Sequence, residues 1–186
     1  MIAEAEDAIV TAIKGVLGQT VKTVEILPGP WDQDALTLAF RRTPGVWVYF
    51  DGGQPGKGAR GNRLAGRFLV YAVTSHASGT RERQIGNSHQ VGAYEIIERV
   101  VPTLAGQSAA QLGTLMFQGL RVLTPASAQR KGVAVYEMAY ELEMGFPAPR
   151  DIGDLADFAI YSGTHEVGNG PDTESYLELP TGNEET

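Results

Sequence analysis

The chain has 186 residues, 42% hydrophobic and 20% charged, with a formal net charge of −7, a composition that fits a soluble globular protein. It has no cysteine, which excludes disulfides, Cys-based zinc sites and thiol redox chemistry. No run approaches the roughly 20 apolar residues of a membrane helix, and the opening MIAEAEDAIV places acidic rather than basic residues before its apolar positions, unlike a signal peptide. The expected compartment is the cytoplasm, or a particle assembled there, with no membrane partner.

Charge is unevenly spread. Residues 1–150 hold 15 basic and 13 acidic residues, whereas 151–186 hold nine acidic residues and no Lys or Arg. Six of the basic residues (Lys57, Arg60, Arg63, Arg67, Arg81 and Arg83) fall in one stretch. A near-neutral body, a local basic stretch and an acidic tail point to contact between charged surfaces, within or between subunits.

In chain order, Ile2 to Leu17 predicts an amphipathic helix, with Ile9, Val10, Ile13, Val16 and Leu17 near one stripe. Gly18 is its expected stop. Val21 to Leu27 predicts a short strand, ended by Pro28-Gly29-Pro30. Asp32 is placed to cap a second helix through Arg42, with Leu36, Leu38, Ala39 and Phe40 as its apolar content. Val46 to Phe50 is apolar on both faces, as an interior strand is. Asp51 to Asn62, with five glycines and Pro55, reads as a loop.

Arg63 to Ser75 alternates as a long strand, exposed in its first half and buried in its second. Ser78 to Ser88 is polar. Val91 to Leu104 predicts a helix with Val91, Tyr94, Ile97, Val100, Val101 and Leu104 as its stripe, and Pro102 as a kink or end. Leu112 to Leu123 predicts one strand or two short ones. Val133 to Phe146 is the strand around which the chain is organised. Tyr136, Met138, Tyr140, Leu142, Met144 and Phe146 point one way, and Glu137, Ala139, Glu141 and Glu143 the other. One face is expected to be buried and the other charged.

Consecutive strands joined by short polar loops favour antiparallel pairing. The expected fold is α+β, a mostly antiparallel sheet with about three helices packed on one face. The expected domains are 1–146 and an acidic extension, 147–186. In the extension, Pro147-Ala148-Pro149 is a breaker, Leu155 to Tyr161 a short helix or added strand, Gly168 to Asp172 a turn, and Ser175 to Leu179 weakly alternating. Its apolar content is too low for a core of its own, so it packs on the body, packs on a neighbour, or stays mobile.

No catalytic, cofactor or metal constellation is expected. Gly56-Lys57 lacks the glycine, the following Ser or Thr, and the helix that a phosphate loop needs. His76, His89 and His165 have no metal-ligand spacing, and Ser162-Gly163-Thr164-His165 is no nucleophile elbow. Glu137, Glu141 and Glu143 share a strand face, so carboxylate acid–base work by Glu137 and Glu141 in a small hydrolase is the distant alternative. Trp31 and Trp47 sit among apolar residues and read as core. A pI near 5.0 argues against a dedicated nucleic-acid binder.

Several stretches, in order, resemble a family of tail proteins from Mu-like bacteriophages and prophages. These are MIAEAEDAIV, VKTVEILPGPWDQDAL leading into PGVWVYFDGG, GAYEIIERVVPTLAGQ, VAVYEMAYELEM and DLADF. The resemblance covers nearly the whole chain. It implies a small α+β subunit acting as, or close to, a tail terminator: a homo-oligomeric, commonly six-fold ring on the last layer of the tail tube. It implies a virion location, the tail tube protein and a head–tail connector or neck protein as partners, and genomic DNA passing non-specifically through the lumen. The alternative within this class is another neck or minor tail protein.

A ring joins two different patches on each neighbour. The basic stretch Arg60, Arg63, Arg67, Arg81, Arg83 and the acidic segment carrying Asp151, Asp154 and Asp157 are candidates for opposite sides of that contact. Glu137, Glu141 and Glu143 are further candidate interface residues.

Overall fold

A computed structural model describes residues 1–30, 33–57, 62–76, 80–87, 90–109, 111–123, 132–146, 160–165 and 173–178. The chain divides into two compact units, Met1–Phe146 and Pro147–Thr186.

In the first unit, α1 spans Ile2–Leu17 and buries Ala5, Ile9, Val10, Ile13 and Leu17. The 3-4 spacing of these residues makes one stripe. The helix stops where Gly18 takes a left-handed φ of 53° and returns its N–H to the Lys14 carbonyl. Strand β1 is Thr23–Ile26 and helix α2 is Gln33–Arg41; the expected Asp32 cap lies outside the described residues. Strand β2 is Gly45–Pro55 and β3 is Arg63–Ser75. Helix α3 is Thr80–Ile85, and the short β4 (Gly86–Asn87) and β5 (Gln90–Val91) lead into helix α4, Ala93–Leu104. Strands β6 (Ser108–Ala109), β7 (Gly113–Val122) and β8 (Val133–Gly145) complete the unit.

The sheet order is β1-β2-β3-β8-β7-β6. All its pairs are antiparallel except β1 with β2, whose α2 crossover returns the chain in the same direction. The α+β architecture with a mostly antiparallel sheet is the one expected from sequence. Helices α1, α3 and α4 lie on one face, and α2 lies on the other. The larger core joins α1 and α4 to Val46, Val48, Phe68, Val70, Ala72, Tyr136, Met138, Tyr140 and Leu142. A second core on the opposite face joins Leu27 and Ala39 to Trp47, Leu69, Tyr71, Val73, Val133, Val135 and Ala139. Each fully buried Val, Leu or Phe side chain contributes about 1.5–3 kcal/mol relative to its exposed state. Trp47 is core, as expected.

The second core changes the reading of β8. The strand is buried on both faces from Val133 to Tyr140. The expected charged face exists only at its C-terminal end, because Glu137 and Ala139 sit beside the second core. Three other expectations are corrected. Residues 51–55 continue β2 instead of forming a loop, because they pair with β3 after a bulge between Phe50 and Gly53. The polar stretch Ser78 to Ser88 contains α3, a six-residue helix too short to carry a periodic signal. The buried stripe of α4 is Ala93, Ile96, Val100 and Leu104; α1 packs along that side and leaves Tyr94 exposed. Pro102 lies inside the last turn of α4, which continues to Leu104; having no N–H, it leaves the Glu98 carbonyl without its helical donor.

The second unit contains an antiparallel pair, β9 (Ile160–His165) and β10 (Thr173–Glu178), with Thr173 opposite His165 and Glu178 opposite Ile160. The expected turn at Gly168 to Asp172 lies outside the described residues.

Candidate subunit interface

Of the charged residues singled out from sequence, Arg63, Arg67, Glu141 and Glu143 come together on one sheet face, beyond the end of the second core. Arg63, Ala65 and Arg67 of β3 lie beside Gly145, Glu143 and Glu141 of β8. Direct cross-strand neighbours sit about 4.5–5.5 Å apart, so alternating side chains of opposite sign meet. Arg63 Nη2 lies 3.7 Å from Glu143 Oε2, and Arg67 Nε lies 3.6 Å from Asp51 Oδ2. All four side chains are substantially exposed, so each pair is worth about 0.2–1 kcal/mol. These arginines therefore already have counter-charges within the subunit.

Arg67, Glu141 and Asp51 line a groove of about 530 Å³ with Gln54, Gln118 and Arg121. The bulge between Phe117 and Gly119 opens it, by turning Gln118 out of register with β8. Its rim carries both signs of charge.

Glu137 is the unexpected member. Its residue is only 5% exposed. Its partner across the β7–β8 pair is Arg121, with Nη1 3.6 Å from Oε1. That separation is an ion pair and not a hydrogen bond, and Oε1 has no hydrogen-bond partner. On the other side, Tyr71 of β3 is its directly paired neighbour and hydrogen-bonds it. Burial, followed by the nearby Glu137 charge, pushes the Tyr71 hydroxyl well above its ordinary pKa. Glu137 is thus held between Tyr71 and Arg121 as part of the fold. Glu137 and Glu141 are separated by about 13 Å of strand, beyond the roughly 5–10 Å at which paired carboxylates act on one bond. The structure does not bring these two together.

Arg81 and Arg83 lie elsewhere. They belong to α3, which is tied to the far end of β3 by the Thr74 hydroxyl donating to the Arg83 carbonyl at 2.8 Å. Arg63 and Thr74 stand roughly 35 Å apart along the strand. The basic stretch is therefore two separate places on the surface. Arg60, Asp151, Asp154 and Asp157 lie outside the described residues. Among the described residues no group of three His, Cys, Asp or Glu is placed to hold a metal ion, and no described helix is long and apolar enough to cross a membrane.

Sequence reasoning missed an apolar feature. Met116, Phe117, Leu120 and Val122 of β7 are exposed, and Tyr94 of α4 stands edge-on to Tyr136 at 5.7 Å. The apolar content of β7 was legible. Its position near the sheet edge was not.

The sequence profile of the family described as "Bacteriophage Mu, Gp37" matches residues 1–145. The chain is similar to the "Mu-like prophage FluMu protein gp37" of Haemophilus influenzae, at 28% identity over 97% of this chain and 92% of that protein. It is also similar to the "Probable tail terminator protein" of Escherichia phage Mu, at 23% identity over 85% of this chain and 82% of that protein. With its profile matched from Met1 through β8, the chain belongs to the bacteriophage Mu Gp37 family.

Proposed function

We propose that this chain is a structural tail terminator of a Mu-like phage or prophage. It forms a homo-oligomeric ring, six-fold in this reading, that caps the tail tube and joins it to the head–neck connector. The observation that carries the reading is the family match across the whole first unit, together with the phage Mu relative named as a tail terminator. The mechanism is geometric: one ring face meets the last layer of the tube, the other meets the connector, and genomic DNA passes through the lumen. The protein works in the virion tail, after assembly in the host cytoplasm, and makes no covalent step of its own.

A ring subunit needs two different lateral patches. The mixed-charge groove around Arg67, Asp51 and Glu141 is one candidate surface, with the acidic residues of 151–186 of a neighbour as a charged counterpart. Charge reversal at Arg63 and Arg67 is expected to weaken assembly more at low salt than at high salt. Rings that form unchanged would remove the groove from the interface.

The test of function is native mass spectrometry of the purified chain, followed by binding to preformed tail tubes. A discrete hexamer, or a hexamer that appears with tubes and localises to tube ends, supports a terminator. A protein that remains monomeric and ignores tube ends overturns it.

A further inference from the structure

Among the described strands of the first unit, the sheet has two uncovered edges that match each other. At one end, among the described residues β6 pairs only with Gly113 and Thr114, and Leu115 exchanges hydrogen bonds with Gly106 and Gln107. From Met116 to Val122, no described strand covers the outer edge of β7. Beyond the bulge between Phe117 and Gly119, Leu120 to Val122 carries a single charge, Arg121, and no Lys, Pro or acidic residue; charges, prolines and bulges are the usual guards of an open edge. Leu120 is 46% and Val122 67% exposed. At the other end, β1 pairs only with β2 among the described strands, and Ile26 is 38% exposed.

The pairing registers place these two edges in the same rows. One row runs Glu25, Trp47, Tyr71, Glu137, Arg121 across the five strands; the rows flanking it run Ile26, Val48, Val70, Met138, Leu120 and Val24, Val46, Ala72, Tyr136, Val122. Paired residues share a face. Glu25 and Arg121 therefore lie on one face, and Val24, Ile26, Leu120 and Val122 on the other.

Backbone directions match as well. Leu123 donates its N–H to the Val135 carbonyl at 3.0 Å, and Leu27 donates to Val48 at 2.7 Å. By alternation, Arg121 faces β8 and Glu25 faces β2, while Leu120, Val122, Val24 and Ile26 turn their N–H and C=O groups outward. Strand directions reverse from β2 to β3, to β8 and to β7, and β1 runs with β2. Strand β1 is thus antiparallel to β7.

We propose, on the ring reading above, that a second copy of this chain adds its β1 to the free edge of β7, so that the sheet continues from subunit to subunit. In the register set by the shared rows, Ile26 of the second copy opposes Leu120 and its Val24 opposes Val122 as hydrogen-bonded pairs. Between them, the second copy's Glu25, whose carboxylate accepts from Arg42 of its own chain at 2.8 and 3.1 Å, comes beside Arg121, which pairs with Glu137 at 3.6 Å, so that the four charges alternate in sign. Apolar side chains meet apolar ones on the helix face, and opposite charges meet on the groove face. The contact joins unlike patches, which is the kind that closes a ring.

The absence of native cysteine makes a direct test available. Residues of a non-hydrogen-bonded antiparallel pair have Cα atoms about 4.5 Å apart, within disulfide reach. The full chain carrying both Glu25→Cys and Arg121→Cys, oxidised under assembly conditions, is expected to give a ladder of covalent multimers. Each single variant should stay monomeric on a non-reducing gel, and a mixture of the two singles should give dimers only. Ile26→Cys with Leu120→Cys is a second pair should the first disturb folding. Val122→Lys should abolish the ring and leave the melting temperature of the monomer unchanged. Rings by native mass without cross-links from either pair, or self-cross-linking of Arg121→Cys alone, overturn this interface and leave the ring reading standing. A monomer at every concentration, with and without tubes, overturns both.

Discussion

Arg121 and Glu137 face each other across β7 and β8 with a 3.6 Å ion pair, yet their environments differ: the arginine side chain is 66% exposed and the carboxylate 7%. Water screens one partner and not the other. Removing the arginine leaves a buried carboxylate without its cation. Arg121→Met is expected to cost about 1–2 kcal/mol in urea unfolding at a concentration where the chain is monomeric, more than the usual exposed pair. In a Glu137→Gln background the same change should cost almost nothing. Equal costs in both backgrounds would show that the arginine acts through packing alone.

Tyr71, Tyr136 and Tyr140 all have hydroxyl pKa values raised above the ordinary 10, in each case chiefly by burial. A raised folded pKa lends stability that is complete below the unfolded pKa, and that stability is lost as pH climbs above it toward the folded value. In an absorbance titration at 295 nm, these three of the seven tyrosines should stay protonated until the far-ultraviolet circular dichroism collapses. Ionisation of all seven near pH 10 with the fold intact would contradict the burial assigned to them.

Glu6 accepts a hydrogen bond from the Phe50 N–H at 3.2 Å, but its pKa is still raised, because burial outweighs that bond and Asp7 adds repulsion. Its contribution is therefore complete below the ordinary carboxylate range and lost as pH rises through the folded pKa. Glu6→Gln keeps the acceptor and removes the charge. The variant should gain melting temperature over the parent at pH 7, and show little gain at pH 4. A gain that is larger at pH 4 would reverse the sign argued here.

Two glycines make opposite predictions. A Cβ on Gly92 would stand 2.2 Å from the Gly86 backbone nitrogen, whereas one on Gly15 meets nothing within 4 Å. Backbone cannot yield as a flexible side chain can, so Gly92→Ala should cost about 2 kcal/mol or more. Gly15→Ala lies on the exposed side of α1 and should gain about 0.5–1 kcal/mol. Thermal melts of the two variants settle both, and a Gly92→Ala protein as stable as the parent would refute the close approach.

Elements long enough to show a period were legible in the chain alone. Helix α1, strand β3 and strand β8 sit where their 3.6- and 2-residue patterns put them. Elements too short for a period were not: α3 and the β4–β5 turn form because Gly86 and Gly92 let the backbone fold closely on itself, and the surrounding polar residues do not announce it. Alternation along Val133 to Gly145 separates two faces of a strand but says nothing about what covers each. Only pairing with β3 and β7, and the α2 crossover, put Glu137 between Tyr71 and Arg121 and buried it.

The candidate interface divides the same way. Arg63, Arg67, Glu141 and Glu143 could be named from charge and alternation, and the fold brings them to one face. Arg81 and Arg83 belong to the same run of sequence but are carried to the far end of β3, since a strand spends about 3.3 Å on every residue. The match between Glu25 and Arg121 has no signature in the chain at all. They are 96 positions apart, and they share a row only because four successive strand registers place them there. Propensity acts over a few residues, whereas an edge exists only once every other strand has found its partner.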